Sequence, residues 1–257
     1  MQSTQKLSGV PIAEATALVT GANRGLGRSY LNRLLDRGAA RVYAASRDPE
    51  TIEVTDTRIV PIRCDITNPT QVAAAAQRCD DVTVLINNAG VMLRTPLLAA
   101  PDTSAARSEM DTNYFGTLAM CRAFAPILAN NGGGALVNVL SVASWQNSAF
   151  NGSYGASKSA EWALTNAIRI ELRSAGTLVV GVHAGWIDTD MAATVNDAKL
   201  STGDVVEQSL RAVENGDEEV IAGDWAHSVK QALAGDLSAM YADLQQQWDS
   251  QRWPWKR

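Results

Sequence analysis

A phenol and an ammonium stand four residues apart in Tyr154-Gly-Ala-Ser-Lys158. On a helix they share one face, about one turn from each other. Alone, such a pair arises by chance on many amphipathic helices. Three further features give it context. A glycine-rich turn, Thr20-Gly-Ala-Asn-Arg-Gly-Leu-Gly27, lies near the N-terminus, Asn87-Asn-Ala-Gly90 closes an apolar run, and Ser141 precedes Tyr154. Together they point to one site where a dinucleotide meets a carbonyl.

In the turn, Gly21 allows a sharp bend out of a strand, and Gly25 removes a side chain where a pyrophosphate must approach backbone N–H groups. Gly27 permits close packing of helix on strand, and the helix N-terminus presents a positive dipole end. Asn23, Arg24 and Leu26 complete this candidate cofactor loop. A tight glycine turn without a ligand is the plainer alternative. The next strand ends in Ser46-Arg47-Asp48. A carboxylate at that strand end commonly holds the ribose 2′-hydroxyl of NAD. Here Ser46 takes the place, and a guanidinium pairs with a 2′-phosphate where a carboxylate would repel it. Arg47 and Arg24 are expected to converge on that phosphate, favouring NADP(H) over NAD. The alternative makes Arg47 a solvated loop charge and gives the hydroxyl to Asp48.

Composition excludes several classes. A net charge of −5 without a basic stripe argues against nucleic acid as a partner. The three cysteines are widely spaced and lack a CxxC, so free thiols in a reducing compartment are expected. Two isolated histidines are too few for a typical His-based metal site, and no metal is expected. Residues 1–13 lack a basic segment followed by an apolar core, and no run reaches the roughly 18 apolar residues of a membrane span. A cytoplasmic protein is expected.

The elements that must position these residues alternate along the chain. Strand 15–20, helix 24–37 and strand 40–45 form a βαβ unit with glycines at its first turn. A third strand over 57–63 follows after too few residues for a crossover helix, so that connection is read as a short turn or loop. Asp65 then either accepts a hydrogen bond from an adenine amino group, serves as a turn residue, or caps the helix after Asn68-Pro69. Strand 81–86 is apolar throughout, as in the middle of a parallel sheet. Asn87 and Asn88 can tie neighbouring strands together, and Gly90 lets a cofactor pass close. After a loop over 91–104, a long helix over 105–130 places Met110, Tyr114, Leu118, Cys121 and Ala125 on one face. Asn113 falls within it, a place where such a residue usually bonds the backbone. Strand 135–140 delivers Ser141 at its C-terminal end, where ligands bind in open parallel sheets. Helix 153–173 bears Tyr154 and Lys158, and strand 177–182 leads to His183-Ala-Gly-Trp-Ile-Asp-Thr189. Residues 192–202 are expected to form a mobile loop over the site. A helix over 203–214, a strand over 219–222 and a helix over 236–249 complete the chain, whose tail carries Trp253 and Trp255. One domain over 1–257 is expected, with the segment 236–257 covering the pocket or an interface.

These motifs resemble the classical short-chain dehydrogenase/reductase family over residues 15–191. The resemblance implies an α/β fold, a single Rossmann-type doubly wound domain with a seven-stranded parallel sheet in order 3-2-1-4-5-6-7 and helices on both faces. It also implies a nicotinamide cofactor and homodimers or homotetramers assembled through the two long helices. By that resemblance Tyr154 is the acid that protonates a carbonyl oxygen, or the base in reverse. A free phenol titrates near pH ~10, and the Lys158 charge favours its ionisation while the ammonium bonds the nicotinamide ribose. Ser141 holds the substrate oxygen. Asn113 holds a water that links Lys158 to solvent. Ile66, Asn87, Ala89 and Gly90 border the cofactor with Asp65, and Gly185, Ile187 and Thr189 meet its nicotinamide end.

Two departures stand out. The family's Pro-Gly after the sixth strand is Ala184-Gly185 here, and the segment between Arg47 and Asp65 is short. Trp145 and Trp186 either wall the substrate pocket, favouring an apolar or aromatic carbonyl compound, or pack ordinarily. The expectation is an NADP(H)-dependent reductase of a small ketone or aldehyde. The alternatives are an NAD-dependent alcohol dehydrogenase working oxidatively and a dinucleotide sensor without turnover.

Overall fold

The computed structural model describes residues 7–251. Seven strands form one parallel sheet: β1 (Thr16–Thr20), β2 (Arg41–Ser46), β3 (Ile59–Arg63), β4 (Val84–Asn87), β5 (Gly134–Val139), β6 (Thr177–Ala184) and β7 (Glu219–Ala222). Their order is β3-β2-β1-β4-β5-β6-β7, as the sequence implied. The chain winds outward from β1 in one direction and then, from β4, in the other. A crevice therefore opens beyond the carboxyl ends of β1 and β4, where connections diverge to opposite sides.

Alternation along the strands decides which helix packs where. Ala17, Val19, Val84, Ile86, Val137 and Val180 face one side. There they meet α1 (Gly25–Asp36) through Tyr30, Leu31 and Leu34, and α6 (Thr202–Asn215) through Val206, Leu210 and Val213. Leu18, Leu85, Leu136 and Val179 face the other side. They meet α2 (Pro69–Arg78), α4 (Thr117–Asn130) and α5 (Gly152–Glu171) through Val72, Phe124, Leu128, Leu164 and Ile168. The link from β2 to β3 is a single 3-10 turn, Pro49–Thr51, capped by Asp48.

The helix expected over 105–130 is interrupted. It runs as α3 (Ser104–Glu109), a π-helical stretch Met110–Gly116, and then α4. The wider π turn rotates the register, so Met110, Tyr114, Leu118 and Ala125 are only partly buried. The buried stripe is instead Glu109, Asn113, Gly116, Thr117, Met120, Cys121, Phe124 and Leu128. Its first half is polar because it faces the helix carrying Tyr154.

The loop expected to be mobile over 192–202 is anchored. Leu200 N–H donates to Trp186 O at 2.8 Å and Asp188 N–H to Leu200 O at 2.9 Å. Arg94 donates to Thr194 Oγ1 and to Met191 O, each at 2.6 Å. Ala192 and Val195 are buried with Phe150. Helix α7 (Asp224–Ala232) lies between β7 and the C-terminal helix, and has no counterpart in the sequence reading. Only Ala226 and Val229 are buried on it, too few to show a period. The last helix, α8 (Ser238–Asp249), sets Trp248 against Phe150 with ring centroids 5.0 Å apart. Trp253 and Trp255 lie outside the described residues. No helix among the described residues is long and apolar enough to cross a membrane.

Candidate active site

At the end of β1 the chain turns through Gly21 (φ 65°) and Gly25 (φ 54°), left-handed conformations that favour glycine. A Cβ on Gly27 would lie 2.1 Å from the Gly21 carbonyl oxygen and 2.6 Å from Asn88 Nδ2. The helix can therefore approach the strand only with glycine there. Helix α1 begins without a side-chain cap and without an acidic residue in its first turn. Its leading N–H groups face the cleft, and this cradle fits a pyrophosphate. The ends of β1 and β4 are tied together: Thr20 Oγ1 accepts from Asn88 N–H at 2.9 Å and Ala89 N–H at 3.0 Å, and Asn88 Nδ2 donates to Thr20 O at 2.9 Å.

From this turn a cavity of about 1510 Å³ runs along the carboxyl ends of the strands to Ser141 and Tyr154. Every candidate cofactor residue lines it except Asn87. Asn87 sits beneath, buried, donating from Nδ2 to Asn138 Oδ1 at 2.9 Å, and Asn138 in turn donates to Thr165 Oγ1 at 2.9 Å. The first amide of the motif ties β4, β5 and α5 together, and the second, Asn88, faces the cleft.

At the β2 end, Arg47 is exposed, and its carbonyl accepts from Arg63 Nη1 at 2.8 Å. Ser46 Oγ donates to Asp48 O at 2.6 Å, while the Asp48 carboxylate accepts from Glu50 N–H. Arg24 does not converge with Arg47. Its Nη1 donates to Asp190 Oδ2 at 2.9 Å across the cleft. The segment after β6 lies against the glycine turn, where a Cβ on Gly25 would come 3.3 Å from Thr189 Cγ2, so Asp190 is the countercharge at hand. Asp65 resolves as a turn residue that also lines the cavity. Its Oδ1 accepts from Thr67 N–H at 2.9 Å and Thr67 Oγ1 at 2.7 Å, and Asn68 caps α2. Ile66 packs behind it on Gly116, where a Cβ would come within 2.7 Å.

At the other end, Ser141 follows β5 and opens a 3-10 turn, Val142–Ser144. Its Oγ accepts from Ala143 N–H at 3.1 Å, which fixes the hydroxyl at the cavity. Tyr154 lines the same end of the cavity as Ser141. Lys158 Nζ donates to Val139 O at 2.9 Å and to Glu161 Oε2 at 2.6 Å. The lysine was expected to bring the phenol down. Its charge does pull that way, but desolvation in the cleft wall outweighs it, and Glu161 and Glu109 oppose it too. The phenol therefore stands above its ordinary value.

Asn113 does not line the cavity but lies behind Gly90, which does. Both amide N–H groups are committed, to Val91 O and Ser157 Oγ at 2.9 Å each, and Oδ1 accepts from Val91 N–H at 2.8 Å. Its side chain clamps the loop after β4 onto the helix that carries Tyr154. Glu109, fully buried one turn earlier, does similar work by accepting from Leu93 N–H at 2.6 Å.

The sequence reading passed over several residues here. Glu161 is buried beside Lys158, and burial pushes its carboxyl up to about 7 although the ammonium and Thr117 pull it down. A carboxylate three residues after the lysine, on a face continued by Leu164 and Ile168, was the available signal. Trp145 does not wall the cavity. It stacks on His183 with centroids 3.7 Å apart, under Lys230 Nζ at 4.6 Å from the ring centre. Burial holds the His183 imidazole down at about 3. Trp186 does line the cavity, together with Trp225, whose Nε1 donates to Gln146 Oε1 at 3.2 Å. A Cβ on Gly185 would come 2.7 Å from the Trp225 ring, so this glycine is required where its neighbour Ala184 replaces a proline. Asn147, Asn151 and, from α8, Leu244 and Gln247 complete this end.

Residues 15–200 match the family model for short chain dehydrogenases. Ketoacyl reductase HetN from Nostoc sp. is 30% identical over 224 residues, with 80% of this chain and 77% of that protein covered. A short chain dehydrogenase from Burkholderia cenocepacia, solved in complex with NADP, is 45% identical, with a TM-score of 0.87 over 91% of this chain and 98% of that one. A short-chain dehydrogenase from Sphingobium yanoikuyae, solved with NADPH, shares the fold at 23% identity, with a TM-score of 0.76 over 89% and 95% of the two chains. With the glycine cradle at one end of the cleft and the Ser141, Tyr154 and Lys158 group at the other, the chain belongs to the short chain dehydrogenase family.

Proposed function

We propose that this oxidoreductase uses NADP(H) to reduce a small ketone or aldehyde to an alcohol. The observation that carries the reading is one continuous cavity with a phosphate cradle at one end and the Ser141, Tyr154 and Lys158 side chains at the other. The likeness to an NADP-bound relative at 45% identity supports the choice of dinucleotide, and so does Arg47, exposed at the rim where a 2′-phosphate would lie.

When bound, the nicotinamide supplies a hydride for the carbonyl carbon. The protein supplies the rest. Ser141 Oγ and the Tyr154 hydroxyl hold the carbonyl oxygen and fix the approach to its carbon. Tyr154 donates its proton to that oxygen as the negative charge develops, so one hydride and one proton convert the carbonyl to an alcohol. A phenol standing above its ordinary value is protonated at neutral pH, as a proton donor must be. Lys158 stabilises the phenolate left behind and holds the ribose. Asn113 and Glu109 keep the loop after β4 in place beside it.

Trp186 and Trp225 take the apolar part of the substrate, and the amides of Gln146, Asn147 and Asn151 meet its polar groups. Helix α8 covers this end. The long helices α4 and α5, with the π stretch that leads into α4, are the faces on which a second copy would dock to make a homodimer or homotetramer, with Phe115 from the π stretch (54% exposed) and Ile170 from α5 (77% exposed) as apolar contacts. The three buried, unpaired cysteines suit the cytoplasm.

Replacing Tyr154 by Phe tests the reading. Carbonyl-dependent NADPH oxidation should fall by 10²-fold or more, the scale of a lost general acid, while NADPH still quenches or shifts protein fluorescence. Undiminished turnover would overturn the assignment of Tyr154. A cellular response that survives loss of turnover would favour the sensor instead. Tighter binding of NADH, with alcohol oxidation exceeding reduction, would favour the oxidative alternative.

A further inference from the structure

Lys158 and Glu161 form an ion pair at 2.6 Å, with side chains 6% and 2% exposed. Both ions lose most of their hydration on burial. Lys158 is held by more than Glu161, since it also donates to Val139 O at 2.9 Å. The pair stands on the same helix face as Tyr154, one turn and two turns further on. The phenol therefore sees the lysine with a carboxylate directly behind it.

We propose that Glu161 is a positioning residue, which holds Lys158 in place, offsets its charge at Tyr154, and so biases the site toward protonating a carbonyl rather than deprotonating an alcohol. This rests on the roles proposed above for Tyr154 and Lys158.

The surrounding groups do not supply the effect themselves. From α3, Glu109 bears on Tyr154, but it is held by Leu93 N–H on the far side of the Asn113 clamp. From α4, Thr117 is neutral, and Cys121 stays a thiol because burial pushes it up to about 12. From β4 and β5 the neighbours are the Asn87 and Asn138 amides and the Val139 carbonyl. From β6, His183 is kept neutral by burial. Arg169 and Lys230 act on His183 from further off. Glu161 is the one carboxylate in contact with Lys158 among the described residues.

The size of the effect follows from helix geometry. Seven residues of rise place Glu161 about 10 Å from Tyr154 along the axis. One unit charge at that range, in a medium of effective dielectric about 20, moves a proton affinity by about one pH unit. Removing the negative charge lowers the pH at which Tyr154 ionises.

The test is a tyrosinate absorbance titration of the full-length protein in the alkaline range, where Glu161 is ionised, with Tyr154→Phe identifying the Tyr154 component. Glu161→Gln keeps the size and hydrogen bonding and removes the charge. It should lower the Tyr154 midpoint by about one unit. The alkaline limb of carbonyl reduction should move by the same amount, and the ratio of alcohol oxidation to carbonyl reduction at neutral pH should rise. Glu161→Met, which fills the space without charge, should give the same shift if the Gln variant does not fold. Glu161→Asp should restore wild-type titration. A Tyr154 midpoint that stays put or rises in both uncharged variants overturns the proposal, even if both lose activity through misplacement of Lys158. Absence of turnover with every carbonyl tried would instead count against the proposed function, because the absorbance titration reads Tyr154 without substrate.

Discussion

The separation of Arg24 from Arg47 makes a quantitative prediction about cofactor choice. Arg47 is the exposed guanidinium at the end of β2, while Arg24 is spent on Asp190 across the cleft. A hydrogen bond to a charged group contributes about 1.5–3 kcal/mol, and an exposed site belongs at the lower end of that range because solvent screens it. Arg47→Ala should therefore weaken NADPH about tenfold or somewhat more, and leave NADH, which lacks the 2′-phosphate, essentially unchanged. Arg24→Ala removes an exposed pair with Asp190, whose partners are 68% and 73% accessible. Pairs of that kind are worth about 0–1 kcal/mol, so NADPH binding should weaken less than about fivefold. Asp190→Ala frees Arg24, which should leave NADPH binding unchanged or tighter. Nicotinamide fluorescence titrations with both cofactors read all three variants, and the NADPH-to-NADH ratio removes any general loss of folded protein. An unchanged ratio in Arg47→Ala would refute the assignment. A larger loss in Arg24→Ala than in Arg47→Ala would show that the Asp190 pair breaks when the dinucleotide binds.

Two further outcomes follow from packing and burial. Gly27→Ala drives a Cβ to 2.1 Å from a backbone oxygen, so the helix must back away from the strand. A cost of about 1–3 kcal/mol is expected in chemical denaturation, together with loss of nicotinamide fluorescence enhancement, and a variant that binds and unfolds like the wild type would contradict the close approach described here. His183 is held near 3 in the folded chain, against 6.5 when free. Below pH 6.5 the unfolded chain takes up a proton that the folded one refuses, so its contribution to stability is lost as pH falls through that window, by about 1.4 kcal/mol per unit. Urea unfolding of wild type and His183→Leu between pH 6.5 and 4.5 should show a flatter dependence in the variant, whereas parallel curves would mean that the imidazole becomes protonated in place.

The sequence by itself determined the architecture and the family. The unbroken apolar run Ala17, Leu18 and Val19 says that both faces of β1 are buried, as in a parallel sheet covered by helices on both sides. Glycines 21, 25 and 27 announce a sharp turn with a closely packed helix, because no other residue type meets those steric demands. Tyr154, Lys158 and Ser141 are legible because their chemistry is local in character: residue type, one helical turn, one strand end.

Tertiary structure decided what depends on segments far apart in the chain. Arg24 meets Asp190, and Trp225 meets Gln146, only because segments that follow different strands, β1 and β6 or β5 and β7, converge over the cleft. No local pattern encodes the partner of a long, flexible side chain. The π stretch at Met110–Gly116 changes which residues of a long helix are buried, and it places Asn113 in a clamp behind Gly90. Trp145 and Trp186 read alike in sequence, yet one is stacked on His183 while the other faces the cavity. The setting of the Tyr154 phenol was also a tertiary matter. A lysine one turn from a tyrosine suggests an easily ionised phenol, but burial and the carboxylate of Glu161 determine the balance, and both arise only when α5 packs against α4 and the sheet.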